Sequence, residues 1–181
     1  MAEATEEHLD EVRSGARNVV TALAETWPPL DPRWYPVTEA SIAAELFDGR
    51  ITLRGKPDLT LGRAEGTTAG KVIVDFKTGG TSIDHVADLR FYALIDALRL
   101  GVPPRLLCSA YLDSATLHTE AVTEELLEAT LWRTVDAAAA IVELRDDARE
   151  PRRSPSVACR WCTLLTDCEQ GRAFLADEPD D

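Results

Sequence analysis

The sequence predicts an α/β fold, a central mixed β-sheet flanked by helices and followed by a cysteine-bearing tail, and three observations carry that expectation. Apolar residues recur at helical spacing and then in β-branched runs, in the order helix, three strands, helix, two strands, helix; that alternation suits a mixed sheet with helical cover. The chain has 181 residues and is 45% hydrophobic, ordinary values for one domain with a substantial core. Three of its four cysteines, Cys159, Cys162 and Cys168, crowd beyond the last periodic segment. The expected organisation is one domain over residues 1–150, with a tail over 151–181 packed on it.

Leu9, Val12, Ala16, Val19, Val20 and Leu23 follow a helical period, so Thr5 to Ala24 reads as an amphipathic helix that Trp27-Pro28-Pro29 stops. A connector runs to Pro36. Ala40 to Phe47 and Ile51 to Leu61 read as extended runs joined by the hairpin signal Asp48-Gly49. Gly62 to Gly70 is a polar loop, and Lys71 to Lys77 is a β-branched strand that Thr78-Gly79-Gly80 breaks. Val86, Leu89, Tyr92, Ala93, Leu94 and Leu98 place a helix over Ile83 to Leu100, ended by Gly101-Val102-Pro103-Pro104. Leu106 to Leu112 and Leu117 to Val122 form a second strand pair around Asp113-Ser114. Thr123 is the expected N-cap of a long helix reaching about Arg145, with Glu124 and Glu125 complementing its dipole.

No stretch approaches the ~20 apolar residues of a membrane helix, and the N-terminus, with Glu3, Glu6, Glu7 and Asp10, lacks the basic and then apolar regions of a secretory signal. The expected location is cytoplasmic, with no membrane partner. The net charge of −13 argues against tight non-specific DNA binding by this chain alone, because such affinity comes from Lys and Arg neutralising phosphates. Much of the acidic excess lies in the N-terminal segment and in Asp177, Glu178, Asp180 and Asp181, which leaves room for local basic surfaces.

In a strand, residues i and i+2 face one side, so Asp75 and Lys77 project together while Phe76 points into the opposite layer. Asp58 sits near the middle of the run from Ile51 to Leu61, and pairing of that run with the Asp75 strand brings a second carboxylate to the same face. Two hard oxygen ligands suit Mg2+, which is usually held by one or two carboxylates and keeps several waters. Such an ion polarises a phosphate and lowers the pKa of a water, while Lys77 orients that water and offsets developing charge. A lone D-x-K triplet is more often a surface ion pair, so the weight rests on the combination.

Gly55-Lys56-Pro57-Asp58, followed by Val72-Ile73-Val74-Asp75-Phe76-Lys77-Thr78-Gly79, resembles the PD-(D/E)XK signature of RecB-like exonucleases and CRISPR-associated adaptation nucleases. Asp88-Leu89-Arg90-Phe91-Tyr92 resembles the helical Gln-x-x-x-Tyr motif of that group, and Cys159-x2-Cys162-x5-Cys168 resembles the cysteine trio of its iron–sulfur members. The resemblance covers Glu39 to Cys168. It implies a restriction-endonuclease-like core, Asp58 and Asp75 as ligands of Mg2+ or Mn2+, Lys77 as catalytic, and Tyr92 and Asp88 lining the substrate groove. Glu39, just before the first strand, is a further candidate ligand, and Glu45 competes for that role. Three features depart from the pattern. Only His8 stands for the His or Glu usually found in a helix ahead of the first strand, so the front of the nuclease is expected to be missing or remodelled. Asp88 replaces the motif glutamine and adds negative charge where DNA passes. No cysteine precedes Cys108, although the family takes its fourth cluster ligand from that side.

A [4Fe–4S] cluster ordinarily takes four thiolates. Cys108, in an apolar strand, reads as a buried small hydrophobe. The trio is left to bind a cluster with a ligand from a missing segment, to bind Zn2+ with a histidine such as His8 or His118, or to stand without metal. His85 and His118 read as exposed polar residues. Arg149, Arg152 and Arg153 meet nucleic acid or solvate a linker, and Trp27, Trp34, Trp132 and Trp161 read as packing anchors.

The function expected from these readings is a metal-dependent DNA nuclease hydrolysing phosphodiester bonds, of exonuclease type, in DNA repair, recombination or processing. The alternative is an inactive nuclease-fold module, a DNA-binding or architectural part of a helicase–nuclease assembly. DNA is the expected partner, with a helicase or another repair-complex subunit beside it. The intact Asp58, Asp75 and Lys77 favour the first reading; the acidic charge, Asp88 and the short N-terminus favour the second. A zinc regulatory protein would leave the carboxylates unexplained.

Overall fold

A computed structural model of the chain describes residues 6–78 and 83–177. The Gly79-Gly80 strand break, the helix start at Thr5 and the acidic residues Glu178, Asp180 and Asp181 lie outside them. Compactness divides the chain into two units, residues 1–135 and 136–181.

The first unit opens with α1 (Glu6–Thr26), whose apolar positions Leu9, Val12, Val19 and Val20 are exposed. A 3-10 turn, Pro32–Trp34, leads into β1 (Val37–Thr38), a two-residue strand the sequence reading placed in or beside a connector. The hairpin predicted at Asp48-Gly49 is present: β2 (Ile42–Leu46) and β3 (Ile51–Gly55) pair antiparallel, with Phe47, Asp48 and Gly49 all at positive φ. These two strands form a sheet of their own. The run predicted as one strand from Ile51 to Leu61 is two, because it contains Pro57, which has no N–H for a ladder. After the break, β4 (Leu59–Leu61) joins the main sheet. Asp58 therefore stands immediately before a strand rather than near the middle of one.

The main sheet has five strands in the order β1-β4-β5-β6-β7, where β5 is Val72–Lys77, β6 is Leu106–Tyr111 and β7 is Thr116–Ala121. The β5–β6 pair is parallel, the others antiparallel, and α2 (Ile83–Leu100) makes the crossover that a parallel pair requires. A mixed sheet flanked by helices is the predicted fold class.

One sheet face packs Leu59, Val74, Cys108 and Ala110 with Trp27 and Phe76, the last two rings meeting edge to face at 5.3 Å. The other packs Ile73 and Leu107 against Leu89 and Ala93 of α2. Ile95 of α2 meets Ile42 and Ala44 of the small sheet. Because α2 is covered on both sides, even its Asp96 is buried, where Lys71 Nζ at 2.7 Å and Arg99 Nη2 at 2.8 Å satisfy the carboxylate. Each large apolar side chain so buried contributes about 1.5–3 kcal/mol relative to exposure. Of the four tryptophans only Trp27 is a packing anchor; Trp34, Trp132 and Trp161 are exposed.

α3 (Glu124–Arg145) begins as expected, with the Leu126 N–H donating to Thr123 Oγ1 at 3.2 Å. The second unit also holds 3-10 turns at Val157–Trp161 and Leu165–Asp167 and a short helix, α4 (Glu169–Asp177). No helix among the described residues is long and apolar enough to cross a membrane.

Candidate active site

The pleat of β5 sends Phe76 to the Trp27 side and sets Asp75 and Lys77 on the face that Ile73 shares with α2. Asp75 is buried, at 6% exposure. Lys77 Nζ lies 2.6 Å from Asp75 Oδ2, and among the described residues this buried oxygen has no other donor.

Asp58 comes to the same place from β4. Leu59 stands opposite Val74, so the register extended by one residue sets Asp58 opposite Asp75. The Phe76 N–H donates to Asp58 Oδ2 at 2.8 Å, and the Glu39 N–H donates to the Asp58 carbonyl at 2.9 Å. Side chain and backbone of Asp58 are thus both held.

Burial pushes the Asp75 carboxyl above its ordinary range; the Lys77 ammonium pulls it down by less, and Asp58 and Asp88 push it further up. Burial works to lower Lys77, but the contact with Asp75 and the charges of Asp88 and Asp58 together outweigh it, and the ammonium is held more firmly than an ordinary lysine's. Tyr92 is raised by burial and then by Asp75, Asp88 and Asp58, which puts its hydroxyl within the field of the same cluster. Asp58, Asp75, Lys77, Asp88 and Tyr92 are therefore brought together.

Gly55 is a part of the site that sequence reasoning quoted without explaining. A Cβ there would lie 2.6 Å from Tyr92 Cδ1 and 2.7 Å from Cε1, so the absence of a side chain at the end of β3 admits the Tyr92 ring. A glycine at a strand end, one residue ahead of Pro-Asp, was the available signal.

Glu39 is near through its backbone, but its carboxylate is exposed and pairs with Lys56. Glu45 is exposed, alternating along β2 with buried Ile42 and Ala44. Among the described residues, no three His, Cys, Asp or Glu side chains are gathered closely enough to hold a metal ion. Two carboxylates do fit Mg2+ or Mn2+, which needs only one or two from the protein. Asp75 Oδ2 is the observation that fits a cation, since it is buried and among the described residues meets no donor beyond the Lys77 ammonium.

His85 is half-buried rather than exposed, with Nδ1 3.3 Å from the Tyr111 hydroxyl. Tyr111, 26 residues from His85 and so hidden from local spacing, lies opposite Lys77 in the parallel β5–β6 register. His118 is exposed as expected, its ring 5.3 Å from that of Tyr111. Cys108 is buried in the sheet, as expected for a small hydrophobe.

In the second unit, Cys159, Cys162 and Cys168 line one cavity of about 350 Å3. The Ser156 and Gly171 N–H groups point at Cys159 Sγ and Cys168 Sγ, both at 3.4 Å, and a Cβ on Gly171 would stand 3.5 Å from each of these sulfurs. Three thiols are fewer than the four ligands that a [4Fe–4S] cluster or structural Zn2+ takes. The donor set is incomplete among the described residues and fits neither group.

Comparison with solved structures finds a Eubacterium rectale protein provisionally described as an exonuclease, at 16% identity and a TM-score of 0.51. The match covers 93% of this chain and 61% of that one, so this chain spans less than two thirds of its neighbour's length. The structure of SSO0001 matches at 16% identity and a TM-score of 0.45, over 91% of this chain and 70% of the other. A search of curated proteins gave no match. The family model of the PD-(D/E)XK nuclease superfamily matches residues 2–169, and with the motif residues assembled on one sheet face, the chain belongs to that superfamily.

Proposed function

We propose that this chain is a metal-dependent DNA nuclease that hydrolyses phosphodiester bonds, with Asp58 and Asp75 holding Mg2+ or Mn2+ and Lys77 acting on the attacking water. Members of the superfamily generally use divalent metals such as Mg2+. The observation that carries the reading is Asp75 Oδ2, a buried carboxylate oxygen that among the described residues meets no donor beyond the Lys77 ammonium. A bound divalent ion would supply Lewis acidity toward a phosphate oxygen and toward water.

The remaining steps belong to the side chains. The Phe76 N–H fixes the Asp58 carboxylate, Asp58 and Asp75 would hold the ion, and Lys77 stands beside them at 2.6 Å from Asp75 Oδ2. Lys77 then orients the nucleophilic water by hydrogen bonding and offsets the charge that grows on the phosphate. Tyr92, held against Gly55, lines the groove beside Asp88. Exonuclease action on DNA ends in repair or recombination, beside a helicase or other subunit, is the finer reading, and it rests on the resemblance of the motifs.

The net charge of −13 and the standing Asp75–Lys77 ion pair favour a second reading, an inactive module that binds DNA or a partner. The two separate in one assay on end-labelled linear single- and double-stranded DNA with Mg2+ or Mn2+. Cleavage that chelator abolishes supports the nuclease; intact DNA with every metal, together with no metal binding, transfers the function to the inactive module.

A further inference from the structure

We infer that the first unit carries a second binding site, for the unstacked base of a single-stranded nucleic acid, at the end of β4 and β5 remote from the carboxylates. The inference rests on the nuclease reading for its choice of ligand. A cavity of about 370 Å3 lies there, floored by Leu61 and Val72 and rimmed by Arg33, Trp34, Tyr35 and Arg63. That volume lies in the range of about 300–1,000 Å3 typical of small-ligand pockets.

The rim is exposed yet fixed. Trp34 and Tyr35 are 40% and 50% exposed, but the Trp34 and Tyr35 N–H groups bond Asp31 and Pro32 carbonyls at 2.9 and 3.0 Å, and the Gly62 N–H bonds the Trp34 carbonyl at 2.6 Å. Across the cavity, a Cβ on Gly62 would lie 2.4 Å from the Gly70 oxygen, and one on Gly70 would lie 2.3 Å from the Arg63 oxygen. Only glycines allow that pinch, and it holds Arg63 in place. The Arg63 guanidinium sits 4.2 Å from the Tyr35 ring centroid and makes no ion pair among the described residues.

Rigid exposed aromatics beside arginine suit single strands, because every unstacked base offers a π-face and the cation meets the phosphate or the ring. Charge alone would serve poorly in a chain of net charge −13, whereas stacking on an apolar floor adds affinity that does not depend on charge. Glu65, also in the lining, can accept from a base amino or imino group. Val72 faces away from Asp75 on β5, about 10 Å along the strand at 3.3 Å per residue. The occupant is thus a base removed from the bond being cleaved, and a duplex, with its bases stacked internally, is excluded.

The test compares a short fluorescent single-stranded oligonucleotide with a fully abasic strand of equal length and with the duplex, by anisotropy in chelator. Proteins are the wild type, Arg63→Ala and Tyr35→Asn; asparagine tolerates the left-handed backbone at φ 49. Hydrolysis of bis(p-nitrophenyl) phosphate with Mn2+, a substrate too small to reach the pocket, is measured alongside. The wild type should prefer the base-containing strand, and either variant should lose about tenfold in single-strand affinity together with that preference, while hydrolysing the small diester at the wild-type rate. Equal binding of base-containing and abasic strands by the wild type, or undiminished binding by both variants, overturns the pocket. Base-dependent binding with no hydrolysis of the diester, and with DNA left intact and no metal bound, supports the pocket while sinking the nuclease reading.

Discussion

Burial, with Asp58 and Asp88 nearby, raises the proton affinity of Asp75, while Lys77 Nζ at 2.6 Å lowers it by less. The folded-state value therefore lies above the ordinary 3.8. The proton-linked stability from this group is present in full below the unfolded carboxylate's value and is lost as pH rises through the folded one. A divalent ion competes with the proton for the same oxygen. The acid limb of the rate–pH profile should accordingly lie above the range of an ordinary aspartate at low Mg2+ and move to lower pH as Mg2+ rises; rates measured at two Mg2+ concentrations check this, and a limb that ignores the metal would separate Asp75 from ion binding. At this scale the sequence was informative where a motif stood intact, as with Asp58, Asp75 and Lys77. It was silent where partners are distant, as with His85 and Tyr111, because a hydrogen bond between a helix start and a strand end leaves no local period.

Elements whose periodicity is local were legible. α2 covers Ile83–Leu100 as predicted, and β5, β6 and β7 fall within a residue of the predicted runs. β1 was missed because two residues carry no alternation, and its pairing with β4 is decided by tertiary contact. The division of Ile51–Leu61 between two sheets was written in Pro57, but apolar alternation on both sides concealed it. This division matters to the site, since β3 then ends at Gly55 against Tyr92 while Asp58 goes to the main sheet. Gly55→Ala should clash with the Tyr92 ring at 2.6 Å and cost about 1–3 kcal/mol, the usual range for overpacking. Thermal unfolding should show a lowered midpoint, and cleavage should weaken as the ring shifts; a variant as stable and active as the wild type would show that the contact relaxes freely.

Across the whole molecule, 32 acidic residues against 19 basic ones set a repulsive background for DNA, and three of the 32, Asp58, Asp75 and Asp88, stand at the site itself. Composition made that balance legible, but not where cations stand: Lys77 and the Arg33–Arg63 rim lie at opposite ends of β5, a placement that only the sheet register creates. With Arg33 held by Asp31 and Lys77 by Asp75, Arg63 is left to meet about one phosphate, and the slope of log affinity against log salt for a single strand should be near −1, at ~0.7 per contact. A titration giving a slope several times steeper would reveal a basic surface beyond these residues.

The central claim, that Asp75 holds a metal and Lys77 acts on water, makes a demand that a structural ion pair does not. Mn2+ binding by calorimetry and DNA cleavage are to be measured together on the wild type, Asp75→Asn and Lys77→Ala. Asp75→Asn should lose both. Lys77→Ala should keep most of its Mn2+ affinity, since an ammonium is not a ligand and its removal relieves repulsion with the cation, while cleavage falls on the order of 10²- to 10³-fold, as when a charge-stabilising donor is removed. Cleavage by Lys77→Ala at the wild-type rate, or undiminished Mn2+ binding by Asp75→Asn, would contradict it.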